Sequence, residues 1–156
     1  MLSLLLIAAA AQGASPPAAM ADSAEIRTAI AQMAAEMREG QGFHYRPLLR
    51  DGRTVAALEY WKAPGRPAVH PTEAEYAVVI EGAGTLVSGG TMVDARETRP
   101  GLVEDGRIEG GATRDLRPGD VILMRAGVPH WFGVTGGKLV LLGMKLPPSE
   151  NGVDGR

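Results

Sequence analysis

The sequence predicts an all-β fold, a small antiparallel β-barrel preceded by one N-terminal helix. All but one of the 21 glycines lie beyond Arg38, which cuts the chain after that point into short runs. The apolar runs between those glycines have the length of strands rather than of helices. The chain has 156 residues, 45% hydrophobic and 22% charged, which suits one ordinary globular domain and not a disordered chain.

Charge and cysteine content narrow the function classes. Lys+Arg number 16 and Asp+Glu 18, a formal net charge of -2, and no basic run stands out. That speaks against nucleic acid as the main partner. Cysteine is absent, which removes disulfides, thiolate metal sites, a cysteine nucleophile and a lipidated cysteine together. Burial alone must hold the fold.

Residues 1–21 are expected to be a cleaved signal peptide. No charged side chain precedes Asp22, Leu2–Ala11 is an apolar stretch too short to span a bilayer, and Ala19-Met20-Ala21 supplies a small-x-small pattern. There is no Lys or Arg near Met1, so only the α-amino group carries positive charge. An uncleaved N-terminal anchor is the alternative. The expectation is an exported protein, periplasmic or secreted, with no stable membrane insertion after cleavage.

The N-terminal helix is placed within residues 22–42. Asp22 and Glu25 read as a capping box, Ile26, Ile30, Met33 and Met37 form one helical stripe, and Gly40 and Gly42 end it. The barrel is placed at 43–146, with a flexible tail at 147–156. Strands are expected at Tyr45–Leu49, Thr54–Trp61, Glu75–Glu81, Thr85–Val87, Val121–Met124, Trp131–Val134 and Lys138–Lys145. Asp51-Gly52 reads as a hairpin turn, and Gly82-Ala83-Gly84 and Gly136-Gly137 as further tight turns. The polar stretch Gly89–Asp120 is expected to hold a short strand pair around Met92-Val93 and Ile108, plus a mobile loop.

Two of the three histidines sit in suggestive surroundings. His70 lies in Gly65-Arg-Pro-Ala-Val-His70-Pro-Thr72-Glu73-Ala-Glu75, followed by a strand reaching Gly82. His130 closes Gly119-Asp120-Val-Ile-Leu-Met-Arg125-Ala-Gly127-Val-Pro129-His130. These stretches resemble the paired motifs of the cupin superfamily. His70 matches the first histidine of the first motif, and Glu75 with Gly82 keeps its glutamate-x6-glycine spacing. Gly119, Gly127 and His130 match the second motif. The chain departs from the pattern at Thr72, where the family has a second histidine, at Arg125 in place of a proline, and at Val134 in place of an asparagine. The resemblance implies a jelly-roll-like β-barrel and one divalent metal ion held by His70, Glu75 and His130.

Two imidazoles and a carboxylate with no thiolate suit Fe, Mn, Ni or Zn, and such a set leaves coordination positions open. Three readings of it stand: an open catalytic site, a site in which Thr72 or Glu73 completes or shifts the ligands, and a degenerate site. Glu73 is the nearest candidate for proton transfer. Strand alternation puts Phe132 on the same face as His130, so Phe132 is expected to wall the substrate pocket, with Trp131 on the other face. Tyr60 is placed in the pocket by the same argument. His44 lies outside both motifs and reads as a packing histidine.

A metal-dependent enzyme, dioxygenase-like, acting on a small polar organic molecule inside the barrel, is the favoured function. An isomerase or lyase, and a non-catalytic small-molecule binding module, are the alternatives. The resemblance also raises a homodimer, with Thr54–Trp61 as a candidate edge strand.

Overall fold

The computed structural model describes residues 17–146. The expected signal-peptide core and the tail at 147–156 lie outside the described residues. The helix α1 spans Ser23–Glu36 and starts as its sequence requires. The Asp22 carboxylate accepts hydrogen bonds from the backbone N–H groups of Ala24 and Glu25, and the Glu25 carboxylate reaches back to the Asp22 N–H. Ten strands follow: β1 (Phe43–Asp51), β2 (Thr54–Trp61), β3 (Ala74–Ser88), β4 (Thr91–Val93), β5 (Arg96–Arg99), β6 (Leu102–Glu104), β7 (Arg107–Glu109), β8 (Ala112–Leu116), β9 (Val121–Met124) and β10 (His130–Leu146).

The main sheet runs β1-β2-β10-β3-β8, with β9 also paired to β3, and every pairing is antiparallel. The small pairs β4-β7 and β5-β6 complete the fold. The expected pair around Met92-Val93 and Ile108 is β4-β7, in which Met92 faces Ile108. The rest of that polar stretch forms the β5-β6 hairpin and β8, not a structureless loop. The sheet does not close into a barrel through continuous hydrogen bonding. It is a jelly-roll-like arrangement, completed by single bridges such as Ala68 to His130 and Val69 to Val103.

Two cores share the β2-β10 layer. Leu58, Tyr60 and Val140 face α1 and pack with Ile30, Met33 and Met37. Leu139 and Leu141 face the opposite way, into the interior, with Ala77, Val79, Met124 and Phe132. His44 contributes to the first of these contacts: its Nδ1 stands 3.4 Å from the Met33 carbonyl, and its Nε2 is 3.8 Å from Glu36. The strand Thr54–Trp61 is not an edge. It lies between β1 and β10 and offers no free edge; at that end of the sheet the edge is β1, where Phe43 and Tyr45 are exposed.

The two glycine-rich sites read as turns are not turns. β3 and β10 each run straight through them, and their mutual pairing slips between Val134 and Leu139, opposite Gly82–Gly84. The slip is a bulged corner, at which glycine permits a bend and close approach of backbones. Gly82 has φ +81°, and a Cβ there would drive into the Lys138 carbonyl; a Cβ at Gly84 would meet that of Gly133. Gly82→Ala should therefore cost at least the roughly 1–2 kcal/mol of a left-handed non-glycine residue, plus the clash. Denaturant unfolding of wild type and variant checks it, and an unchanged midpoint would refute this account of the corner.

Candidate metal centre

Three separate segments supply the site. His70 sits just before β3, in a segment stitched to the start of β10 by paired hydrogen bonds between Ala68 and His130, of 2.8 and 2.9 Å. Its carbonyl also accepts a 2.8 Å bond from the Gly127 N–H, in the turn that leads to His130. Glu75 is the second residue of β3, flanked by Met124 on β9 and Lys145 on β10. His130 opens β10.

In the ladder His130 pairs with Ser88, at the far end of β3 from Glu75. A straight strand would hold those ends on the order of 40 Å apart at about 3.3 Å per residue. Yet His130 Nε2 stands 3.9 Å from Glu75 Oε2, and His70 Nε2 stands 3.7 Å from the same oxygen. The curl of β3 and β10 about their glycine corner makes that convergence.

The donor set fits a divalent ion. One ligand atom from each of His70, Glu75 and His130 lies within 4.8 Å of the others. Donors at about 2.1 Å from a common ion stand about 3.0–3.4 Å apart, so binding would draw the imidazoles in by about half an ångström towards Glu75 and the widest pair by up to about 1.4 Å. The His130 Nδ1 is 3.1 Å from the Val128 carbonyl, a contact that holds the proton on Nδ1 and leaves the Nε2 lone pair facing inward. Burial lowers the pKa of both imidazoles; at His70 the Lys145 ammonium adds to the effect. Both rings are thus kept in the neutral form that binds metal.

A fourth group occupies the centre. The Lys145 ammonium donates a hydrogen bond to Glu75 Oε2 and stands 2.6 Å from His70 Nε2. Glu75 is only 5% exposed, and this ammonium supplies its counter-charge. The site opens on a cavity of about 1210 Å³. Phe132 lines it, its ring 6.1 Å from that of His130. Glu73 lines it too, half-buried, with no hydrogen bond to the triad. Thr72 is exposed and lies outside the lining, so it completes no ligand set in this arrangement.

Tyr60 does not line the cavity. It is buried on the α1 side with Leu58, and its neighbours Glu59 and Trp61 take the interior face. Trp131 is turned away from His130, its indole N–H donating to the Gly65 carbonyl at 2.9 Å, though it also borders the cavity.

Glu59 and Lys145 are the residues that motif reasoning missed. A signal existed for Glu59: it is an acid inside the otherwise uncharged strand Thr54–Trp61. Its pKa is raised from 4.5 to about 7, first by burial and then by the Glu75 carboxylate, with Lys145 and the nearby Trp61 N–H pulling the other way. Trp61 Nε1 is itself buried without a partner in hydrogen-bonding geometry.

The folded protein therefore holds the Glu59 proton more tightly than the unfolded chain does. That contribution to stability is full below about pH 4.5 and is lost as pH rises through about 7. Glu59→Gln should escape the loss. The melting temperature of the variant relative to wild type should climb between pH 4.5 and pH 8, and a pH-independent difference would refute the raised pKa.

No family model matches the chain, and no curated protein matches it in sequence. Solved structures do. TT1209 from Thermus thermophilus superposes with a TM-score of 0.52 at 16% identity, over 76% of this chain and 93% of that one. The Cnp3 cupin domain of Schizosaccharomyces pombe gives 0.50 at 10% identity, over 69% of this chain and 62% of the other. A recombinant oxalate oxidase in complex with glycolate gives 0.49 at 13% identity, and the match spans about half of that chain, 52% against 69% of this one. The superposition on the Cnp3 cupin domain shows that the chain has a cupin-type fold, with His70, Glu75 and His130 gathered at its interior site.

Proposed function

We propose that this protein is an exported, metal-dependent cupin enzyme, dioxygenase-like, that acts on a small polar organic molecule in the interior cavity. One observation carries the proposal: two neutral imidazoles and a buried carboxylate, brought from distant parts of the chain, converge at the cavity wall. An ion held there supplies a Lewis-acidic or redox centre with coordination positions open to the cavity.

The chain's own residues shape what could bind. Trp61 and Phe132 form an apolar wall, with ring centroids 6.3 Å apart. Arg53 and Arg99 also line the cavity, where an acidic group of a substrate would find a partner. Three carboxylates beyond the triad, Glu59, Glu73 and Glu104, line the same space. Of these, Glu59 is best suited to hold and release a proton near neutral pH, because burial has already brought its pKa there. Export rests on the leader pattern at 1–21, and N-terminal sequencing of the mature protein would test it. Among the described residues no helix is long and apolar enough to cross a membrane.

Elemental analysis of protein purified without chelator tests the metal. Near-stoichiometric Fe, Mn, Ni or Zn in wild type, lost in a His70→Ala/His130→Ala variant, is the expected result. Iron would direct the substrate search to oxygen consumption with small organic acids, abolished in His130→Ala. Zinc, manganese or nickel without oxygen uptake would favour isomerase or lyase chemistry. No metal in either protein, even after reconstitution, would overturn the enzyme reading and leave a small-molecule binding module.

A further inference from the structure

The Lys145 ammonium engages two of the three donor atoms that an ion would need, Glu75 Oε2 and His70 Nε2. An ammonium and a divalent ion cannot share those atoms, since like charges so close repel strongly and each demands the same lone pairs. Lys145 is 38% exposed and has a four-carbon stem, so its head can swing while its backbone stays in β10. A second carboxylate lies within its swing. Gly143 and Lys145 are two residues apart on β10 and so share a face, spaced by about 7 Å. Glu59 packs directly over Gly143, where an added Cβ would lie 3.2 Å from its Oε1. Glu59 and Lys145 line the same cavity, and Glu59 has no ion pair among the described residues.

We infer that Lys145 is the built-in counter-cation of the triad, and that loading an ion drives its ammonium off Glu75 and onto Glu59. The inference rests on the metal reading above and adds a competitor and a receiving site to it. Lys145 thus acts as a positioning residue that sets which ions can load. An ion must outcompete a tethered ammonium, so weakly bound cations are rejected. Once loaded, the ion leaves a Lys145–Glu59 pair at the cavity wall, beside any bound substrate.

Titration calorimetry of the full chain with Co²⁺, together with the visible spectrum of the bound ion, tests this without any assay of activity. Lys145→Met should bind Co²⁺ about tenfold or more tighter than wild type, the smallest effect expected from removing a like charge within about 4–6 Å. Lys145→Arg keeps the charge and should bind no tighter than wild type. Glu59→Gln should weaken Co²⁺ binding more when Lys145 is present than in the Lys145→Met background. If Lys145→Met does not fold, as judged by its melting curve, Lys145→Gln serves as the neutral variant. Wild type that binds Co²⁺ beside a folded neutral variant that binds no tighter would overturn this inference alone. A Glu59→Gln effect equal in both backgrounds would overturn the receiving role of Glu59. Failure of wild type and both neutral variants to bind Co²⁺ would overturn the metal reading and this inference with it.

Discussion

Two long antiparallel strands must curl until their opposite ends meet, and the interior site exists only because they do. β3 and β10 pair from Ser88–His130 at one end to Ala74–Leu146 at the other. The residues that matter stand near opposite ends of this ladder: His130 at one, Glu75 and Lys145 at the other. Regular strands would keep them tens of ångströms apart. The corner is concentrated where the register slips, at Gly82–Gly84 and Val134–Leu139, and the backbones approach so closely there that a side chain on Gly82 or Gly84 would collide with a facing carbonyl. Once the ladder has curled, the segment Ala68–His70 is bonded to its open end through His130, which brings in the second imidazole.

Curling places a carboxylate where water cannot solvate it. Glu75 is almost wholly buried, and a buried charge persists only with an opposite charge and hydrogen bonds around it. Lys145 meets that requirement from the neighbouring strand, at a position its register with Glu75 dictates. The same cavity holds Glu59, whose burial near Glu75 disfavours a second negative charge. The site is thus a cluster of two carboxylates, two neutral imidazoles and one ammonium. Its balance of charge changes with whatever cation or proton arrives.

The helix matters to the site indirectly. By covering the outer face of β2 and β10 it commits Leu58, Tyr60 and Val140 to one core, which leaves Glu59, Trp61, Leu139 and Leu141 to point inward. The placement of Tyr60 in the pocket failed on this point. Alternation along β2 correctly groups Tyr60 with Leu58 and Glu59 with Trp61. Nothing in a strand buried on both faces says which face the helix will cover.

The class of fold, the capped helix and its stripe, and most of the strands were legible in the sequence because they depend on local periodicity, while His70, Glu75 and His130 stood out through their resemblance to the paired cupin motifs. Phe132 beside His130 was legible for the same reason, being set by alternation within one strand. That the paired glycines are bends within two continuous strands, and not turns between four, emerges once β3 and β10 pair along their whole length. A positive-φ glycine serves either purpose, and its meaning rests on which backbone crosses it. Lys145 and Glu59 were decided at that level too. Their roles depend on the register of β10 against β3 and β2, and on a curl that buries charges lying 16 to 86 residues apart in the chain, separations that no local pattern encodes.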